Sequence, residues 1–176
     1  WHGRRAEATE PATAIDLADG PTTQRAAEAA QPTVILHLGA VTSVADCYRD
    51  PGHAVRVNVG GTQALARAAT AVGARLVYVS TDMVFDGDAA PYAETDPPRP
   101  VSAYGRTKAA AEEVAAACPG SLVVRVPLMY GLPLTPRVTT FASQLAALRA
   151  GQPLRLFVDE FRTPVWLGDA ARALIA

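Results

Sequence analysis

Arg75-Leu-Val-Tyr-Val-Ser80, followed at once by Thr81-Asp82, is a short apolar, β-branched run that ends in hydroxyl and carboxyl groups. Such a run, too short for a helix and bounded by Gly73 in front and polar groups behind, reads as a strand buried on both faces, the kind that parallel sheets contain. Working outward, further runs of this type are expected to be strands at Thr13 to Leu17, Val34 to Leu38, Leu122 to Val126 and Leu154 to Phe157. Between them lie alanine-rich segments with helical spacing: Pro21 to Ala30, Ser43 to Val72, Val101 to Ala117 and Val138 to Ala150. Gly73, Gly120 and Gly151 each follow a helical run, where a C-terminal cap belongs. Strands alternating with helices predict an α/β fold, a parallel sheet with crossover helices on its faces.

The composition narrows the class of partner. The chain has 176 residues, 49% of them hydrophobic, with a formal net charge of -1. That is enough apolar material for one sizeable core, and the interspersed charges form no basic face for nucleic acid or anionic lipid. Every apolar stretch is broken within a few residues by Arg, Gly or Pro, so no membrane span is expected, and no signal peptide is visible. Cys47 and Cys118 fall in helical segments without metal-ligand spacing, which points to reduced thiols, a cytoplasmic protein and no metal site. Trp1 stands where a Met would start a chain, and Asp169 to Ala176 reads as an Asp-capped helix without a terminator, so both ends are expected to be cut.

In parallel sheets ligands bind at the carboxyl ends of the strands. Two segments lie there. Gly39-Ala40-Val41-Thr42 follows the Val34 strand with small residues that let a backbone approach a ligand, and Ser80-Thr81-Asp82 follows the next strand with three polar groups in a row. Ordinary turn and cap chemistry accounts equally well for each alone. A third feature joins them. The only lysine of the chain, Lys108, stands four residues after Tyr104 in Tyr104-Gly-Arg-Thr-Lys108, whereas the other basic chains are all arginine. On a helix this spacing puts the Cβ atoms about 5 to 6 Å apart on one face. An ammonium there favours phenolate, which is expected to draw Tyr104 toward the range useful for proton exchange at a carbonyl or alcohol. A hydroxyl from Thr81 would hold the substrate oxygen against that phenol. The segment Asp86 to Pro100, with four prolines and four acidic residues, reads as a surface loop in front of the Tyr104 helix. His37 reads as a strand residue and His53 as a helix-surface one, while Asn58 suits either a bond to backbone near the site or a helix kink.

Taken in order, Leu36-His-Leu-Gly-Ala40-Val-Thr42, Val57-Asn-Val-Gly-Gly-Thr62, Ser80-Thr-Asp-Met-Val-Phe-Asp-Gly87, Tyr92-Ala-Glu-Thr-Asp96, Tyr104-Gly-Arg-Thr-Lys108, Val124-Arg-Val-Pro-Leu-Met-Tyr-Gly131 and Asp159-Glu-Phe-Arg-Thr-Pro164 resemble the extended short-chain dehydrogenase/reductase family. Within it they resemble the dTDP-4-dehydrorhamnose reductase-like branch. The resemblance implies a Rossmann-like doubly wound parallel sheet over residues 1–130, a partial dinucleotide-binding domain, with the start of a smaller substrate region over 131–176. It implies Tyr104 as proton donor, Thr81 on the substrate oxygen with Asp82 beside it, and Lys108 on the nicotinamide ribose. It also implies cofactor contacts from Asp16 and Leu17 at the adenine and from Gly39, Ala40, Val41, Thr42 and Val79 toward the nicotinamide. Arg4 and Arg5 suit a 2′-phosphate, which favours NADP over NAD, or simply a solvated terminus. The implied activity is NAD(P)-dependent reduction of a nucleotide-activated keto-sugar or a related carbonyl compound, with a homodimer among the possible assemblies.

The chain departs from that pattern in several places. No Gly-x-x-Gly-x-x-Gly turn is present, and Gly60-Gly61 lies within a helical run, so a missing first strand and helix are expected, with the Val34 strand short of one neighbour. Met83 and Leu128 stand where rhamnose-pathway reductases carry aromatic residues, so a related nucleotide-sugar is as good a substrate candidate. Alternatives are a dinucleotide-binding regulatory subunit like the β subunit of methionine adenosyltransferase, which the Arg125 to Gly131 segment also resembles, and an inactive fragment.

Overall fold

The structure is a computed structural model that describes residues 13–132, 139–159 and 161–176. The chain divides into two compact units, one ending at Arg125 and the next starting at Val126.

In the first unit, β1 (Val34–His37), β2 (Arg75–Thr81) and β3 (Leu122–Val126) form a sheet in the order β1-β2-β3. β1 and β2 run parallel, with Val34 opposite Arg75 and His37 opposite Tyr78. Among the described residues β1 pairs with β2 alone. Flanking them are α1 (Gly20–Ala29), α2 (Val44–Arg49), α3 (Pro51–Val55), α4 (Gly61–Val72) and α5 (Ala103–Ala116). Alternation along β2 sends Leu76 and Tyr78 into one cluster with Ala66 and Ala69 of α4 and Ala111 and Ala115 of α5. A second cluster joins Leu17, Ala27 of α1, and Leu65 and Ala68 of α4. The alanines expected to mark helices are thus what lets two helices lie close against the sheet.

Several expectations give way. Thr13 to Leu17 is no strand, because its polar groups are spent locally: Asp16 O accepts from Asp19 N and from the Thr23 hydroxyl, each at 2.9 Å. The segment is a turn that feeds α1, whose cap is Asp19. Leu154 to Phe157 pairs with nothing among the described residues, and its Phe157 is 81% exposed. The single helix expected over Ser43 to Val72 is broken at Asp50-Pro51, where Asp50 caps α3 through His53 N at 2.8 Å, and then passes through a π-helical turn, Arg56–Gly60, before α4.

In the second unit β4 (Met129–Tyr130) and β5 (Val165–Trp166) pair in parallel, and α7 (Leu167–Ile175) follows directly. Asp169, expected as the cap of that helix, instead lies in its first turn and pairs with Arg172. α6 (Thr140–Arg149) is capped by Thr139, and its Phe141 meets Tyr130 at 5.6 Å between ring centroids.

Candidate active site

The Ser102 hydroxyl starts α5 by accepting from Gly105 N at 2.9 Å. Gly105 allows the start of the helix to lie against the turn after β2: a Cβ there would stand 2.3 Å from Met83 O. From this anchored start, Tyr104, Lys108 and Glu112 follow at intervals of four along one buried face. The Tyr104 phenol neighbours the Thr81 hydroxyl, which favours its ionised form. Thr81 donates its proton to Asp82 Oδ1 at 3.1 Å and accepts from Met83 N at 3.2 Å, which leaves its oxygen free to accept from the ligand side. Lys108 Nζ donates to Val79 O at 2.7 Å and lies 4.1 Å from the Tyr78 ring centroid. Thr81, Asp82, Tyr104, Lys108 and Val79 therefore meet at the carboxyl end of β2.

Burial dominates the electrostatics. Loss of water pushes Tyr104 up to about 12; the neighbouring Thr81 hydroxyl opposes this, and negative charge at Cys47 and Asp82 adds to it. The expected downward pull of Lys108 on Tyr104 is not what sets this value, since the ammonium is engaged with β2. Burial draws Lys108 itself down to about 8, against the pull of Glu112. It draws His37 down to about 4, with the Lys108 charge adding to the effect.

The Gly39 to Thr42 turn is tied to α5 by one side chain. Asn58 Oδ1 accepts from Val41 N at 2.7 Å, and Asn58 Nδ2 donates to Val41 O at 3.1 Å and to the Thr107 hydroxyl at 2.8 Å. Asn58 thus performs both of its expected duties, binding backbone at the site from within the π-helical turn. Thr62 donates to Asn58 O at 2.6 Å, so the proton between Thr62 and His37 Nε2, 3.0 Å apart, belongs to the imidazole. Leu17 packs into the core under the turn, where a Cβ on Gly39 would lie 2.6 Å from its Cδ1, and Asp16 Oδ1 accepts from Ala18 N at 2.9 Å. Arg4 and Arg5 lie outside the described residues.

Sequence reasoning passed over Tyr78, Thr107 and the Glu112–Arg125 pair. The signal for two of them was helical spacing, three residues from Tyr104 to Thr107 and four from Lys108 to Glu112. Arg125 meets Glu112 at 2.7 Å, reaches Glu94 O at 3.2 Å and stacks 4.9 Å from the Phe85 ring. The Asp86 to Pro100 segment is correspondingly well tied: Phe85 stacks on Tyr92 at 4.3 Å, Tyr92 donates to Asp86, and Asp86 pairs with Arg99 at 2.9 Å.

Residues 2–176 match the family described as the RmlD substrate binding domain. The chain is 34% identical over 166 residues to a dTDP-4-dehydrorhamnose reductase of Streptomyces griseus, an alignment covering 92% of this chain and 53% of the relative. It is 38% identical over 118 residues to the methionine adenosyltransferase 2 subunit beta of Rattus norvegicus, covering 66% of this chain and 35% of that one. A crystal structure of a dTDP-4-dehydrorhamnose reductase from Clostridium acetobutylicum superposes with a TM-score of 0.82 at 32% identity, over 92% of this chain and 57% of that one. One from Bacillus anthracis, in complex with NADP, superposes with a TM-score of 0.80 at 26% identity, over 92% and 59%. The chain thus spans a third to rather more than half of the length of these relatives.

Proposed function

The chain belongs to the RmlD substrate binding domain family, and from that membership we propose that it carries the catalytic groups of an NADP-dependent reductase acting on a nucleotide-activated keto-sugar, dTDP-4-dehydrorhamnose or a close relative. The observation that carries the proposal is the Tyr104–Thr81 hydroxyl pair beside a buried ammonium at the end of β2.

In this reading Thr81 holds the carbonyl oxygen and Tyr104 protonates it as the carbonyl becomes an alcohol. Lys108 donates to the ribose hydroxyls of the dinucleotide. When bound, the reduced nicotinamide supplies the hydride to the carbonyl carbon. The residues present fit that half of the cofactor: Gly39, Ala40, Val41 and Thr42 form a turn without bulk, held in register with α5 by Asn58, and Val79 fixes the ammonium. Asp16 and Leu17 are assigned to the adenine side and Arg4 to a 2′-phosphate, with NAD as the substitute if that arginine is not used. Residues 1–130 are assigned to the dinucleotide and 131–176 to the sugar-nucleotide.

The test is NADPH-dependent reduction of dTDP-4-dehydrorhamnose and related keto-sugars, read as loss of reduced-nicotinamide absorbance. Tyr104→Phe is expected to lower turnover by about 10² to 10⁴ fold with the fold retained. Near-normal turnover in that variant would place the proton donor elsewhere. A second reading rests on the higher identity to the methionine adenosyltransferase subunits over their shorter alignment. It is favoured if NADPH binds, no keto-sugar is reduced, and the protein alters a methionine adenosyltransferase instead.

A further inference from the structure

A lysine with 3% exposure needs a substitute for water, and among the described residues no carboxylate forms a salt bridge with Lys108. What surrounds its ammonium comes from two consecutive residues of β2. Val79 O accepts one N–H at 2.7 Å, and the Tyr78 ring lies 4.1 Å away, well inside the reach of about 6 Å for a cation over an aromatic face. The ring itself is 1% exposed, where such attraction is strongest.

The hydroxyl of Tyr78 does not explain why the residue is a tyrosine. It is buried without a hydrogen-bond partner among the described residues, and the neighbouring Thr62 hydroxyl gives its proton to Asn58 O. A buried hydroxyl left in this state costs about 1 to 3 kcal/mol. The ring, and not its polar tip, is the part with a task at the site.

We propose that Tyr78 is a positioning residue for Lys108: its ring face and Val79 O together occupy two of the three N–H directions of the ammonium and leave the third for hydroxyls on the ligand side. This rests on the reading of Lys108 as the ribose-binding cation. It adds that β2 aims the ammonium through a π face, so that a change in the electron density of the ring changes the charge state of Lys108 without changing the shape of the site. The other titratable groups around Lys108 are Tyr104 and Glu112 on α5 and His37 on β1, with Arg125 of β3 compensating Glu112.

Because Lys108 is the only lysine, protein grown with ¹⁵N- or ¹³C-labelled lysine gives one side-chain resonance, and its titration is read without assignment. Tyr78→Phe, which keeps the ring and removes the unpaired hydroxyl, is expected to leave the Lys108 midpoint where it is. Fluorinated phenylalanines at position 78 keep the shape and drain the ring, and are expected to lower the midpoint progressively, by about half to one and a half pH units for the fully fluorinated ring. Tyr78→Leu is expected to do the same if it folds, and the fluorinated series decides the question if it does not. An equal midpoint across the series overturns the proposal, whatever the protein does with a keto-sugar. A falling midpoint upholds it, and if keto-sugar turnover is then absent in every variant including the natural sequence, the proposed function fails while the positioning of Lys108 stands.

Discussion

Lys108 and His37 are bases that the fold keeps from water, and their linkage to stability has the same sign. A base with a lowered folded value binds its proton more weakly in the native state than in the unfolded chain, so stability rises with pH between the two values and is lost as pH falls through that window. For His37 the window runs from the ordinary 6.5 down to about 4. Asp19 and Asp86, whose carboxyls hydrogen bonds hold below 3.8, act only under that range. Lowering pH from 7 to 5 is therefore expected to cost about 2 kcal/mol through His37 alone. Urea midpoints at the two pH values measure it, and His37→Gln should flatten the difference; an equally steep loss in that variant would assign it to another group. For Lys108 the window lies between about 8 and the ordinary 10.5, and its gain is opposed from about 9 by the raised Cys47 thiol and from about 10 by the raised phenols of Tyr78 and Tyr104. The sequence made the Tyr104–Lys108 spacing legible, since i,i+4 pairing is geometry. It could not show that burial would outweigh the neighbouring charge at Tyr104, because desolvation depends on what α2, α3 and β2 pack around the pair.

At the level of elements, the approach of α5 to the turn after β2 is what brings phenol and hydroxyl together, and Gly105 is the condition for it. A methyl at that position meets a backbone oxygen at 2.3 Å and Pro100 Cβ at 2.9 Å, neither of which can swing aside as a side-chain tip would. Gly105→Ala is expected to destabilise by about 1 to 3 kcal/mol and to separate Tyr104 from Thr81, so that turnover falls more than the fraction unfolded explains. Thermal melts paired with activity at a temperature where the variant is folded check this, and full activity per folded molecule would refute it. The three strands of the main sheet were legible because each is a compact apolar run whose partners lie in the same sheet. Thr13 to Leu17 has the same appearance, yet Asp16 closes a turn there, a competition that composition hides. β4 and β5, two residues each, carry no period at all, and their pairing is set by tertiary contact.

The cohesion of the first unit as a body depends on contacts distant in sequence, and Arg125 supplies an unusual share of them. From β3 it holds Glu112 on α5 through both carboxylate oxygens, Glu94 O in the loop after β2, and the Phe85 face. The Glu112 side chain is 8% exposed, so without its partner it becomes a nearly buried, uncompensated charge one helical turn beyond Lys108. Removing one member of such a pair costs far more than removing both, because the penalty is the orphaned charge and not the lost attraction. Arg125→Leu is therefore expected to cost about 3 kcal/mol, while the double variant Arg125→Leu with Glu112→Leu regains most of it. The single variant carries a second signature. Glu112, released from its arginine, pulls harder on Lys108, so the Lys108 resonance should titrate at higher pH in Arg125→Leu and return to or below its natural midpoint in the double variant. Equal unfolding free energies for the single and double variants, with Lys108 titrating alike in both, would show that the pair is a solvated contact and that loop and helix are held by the aromatic stack instead.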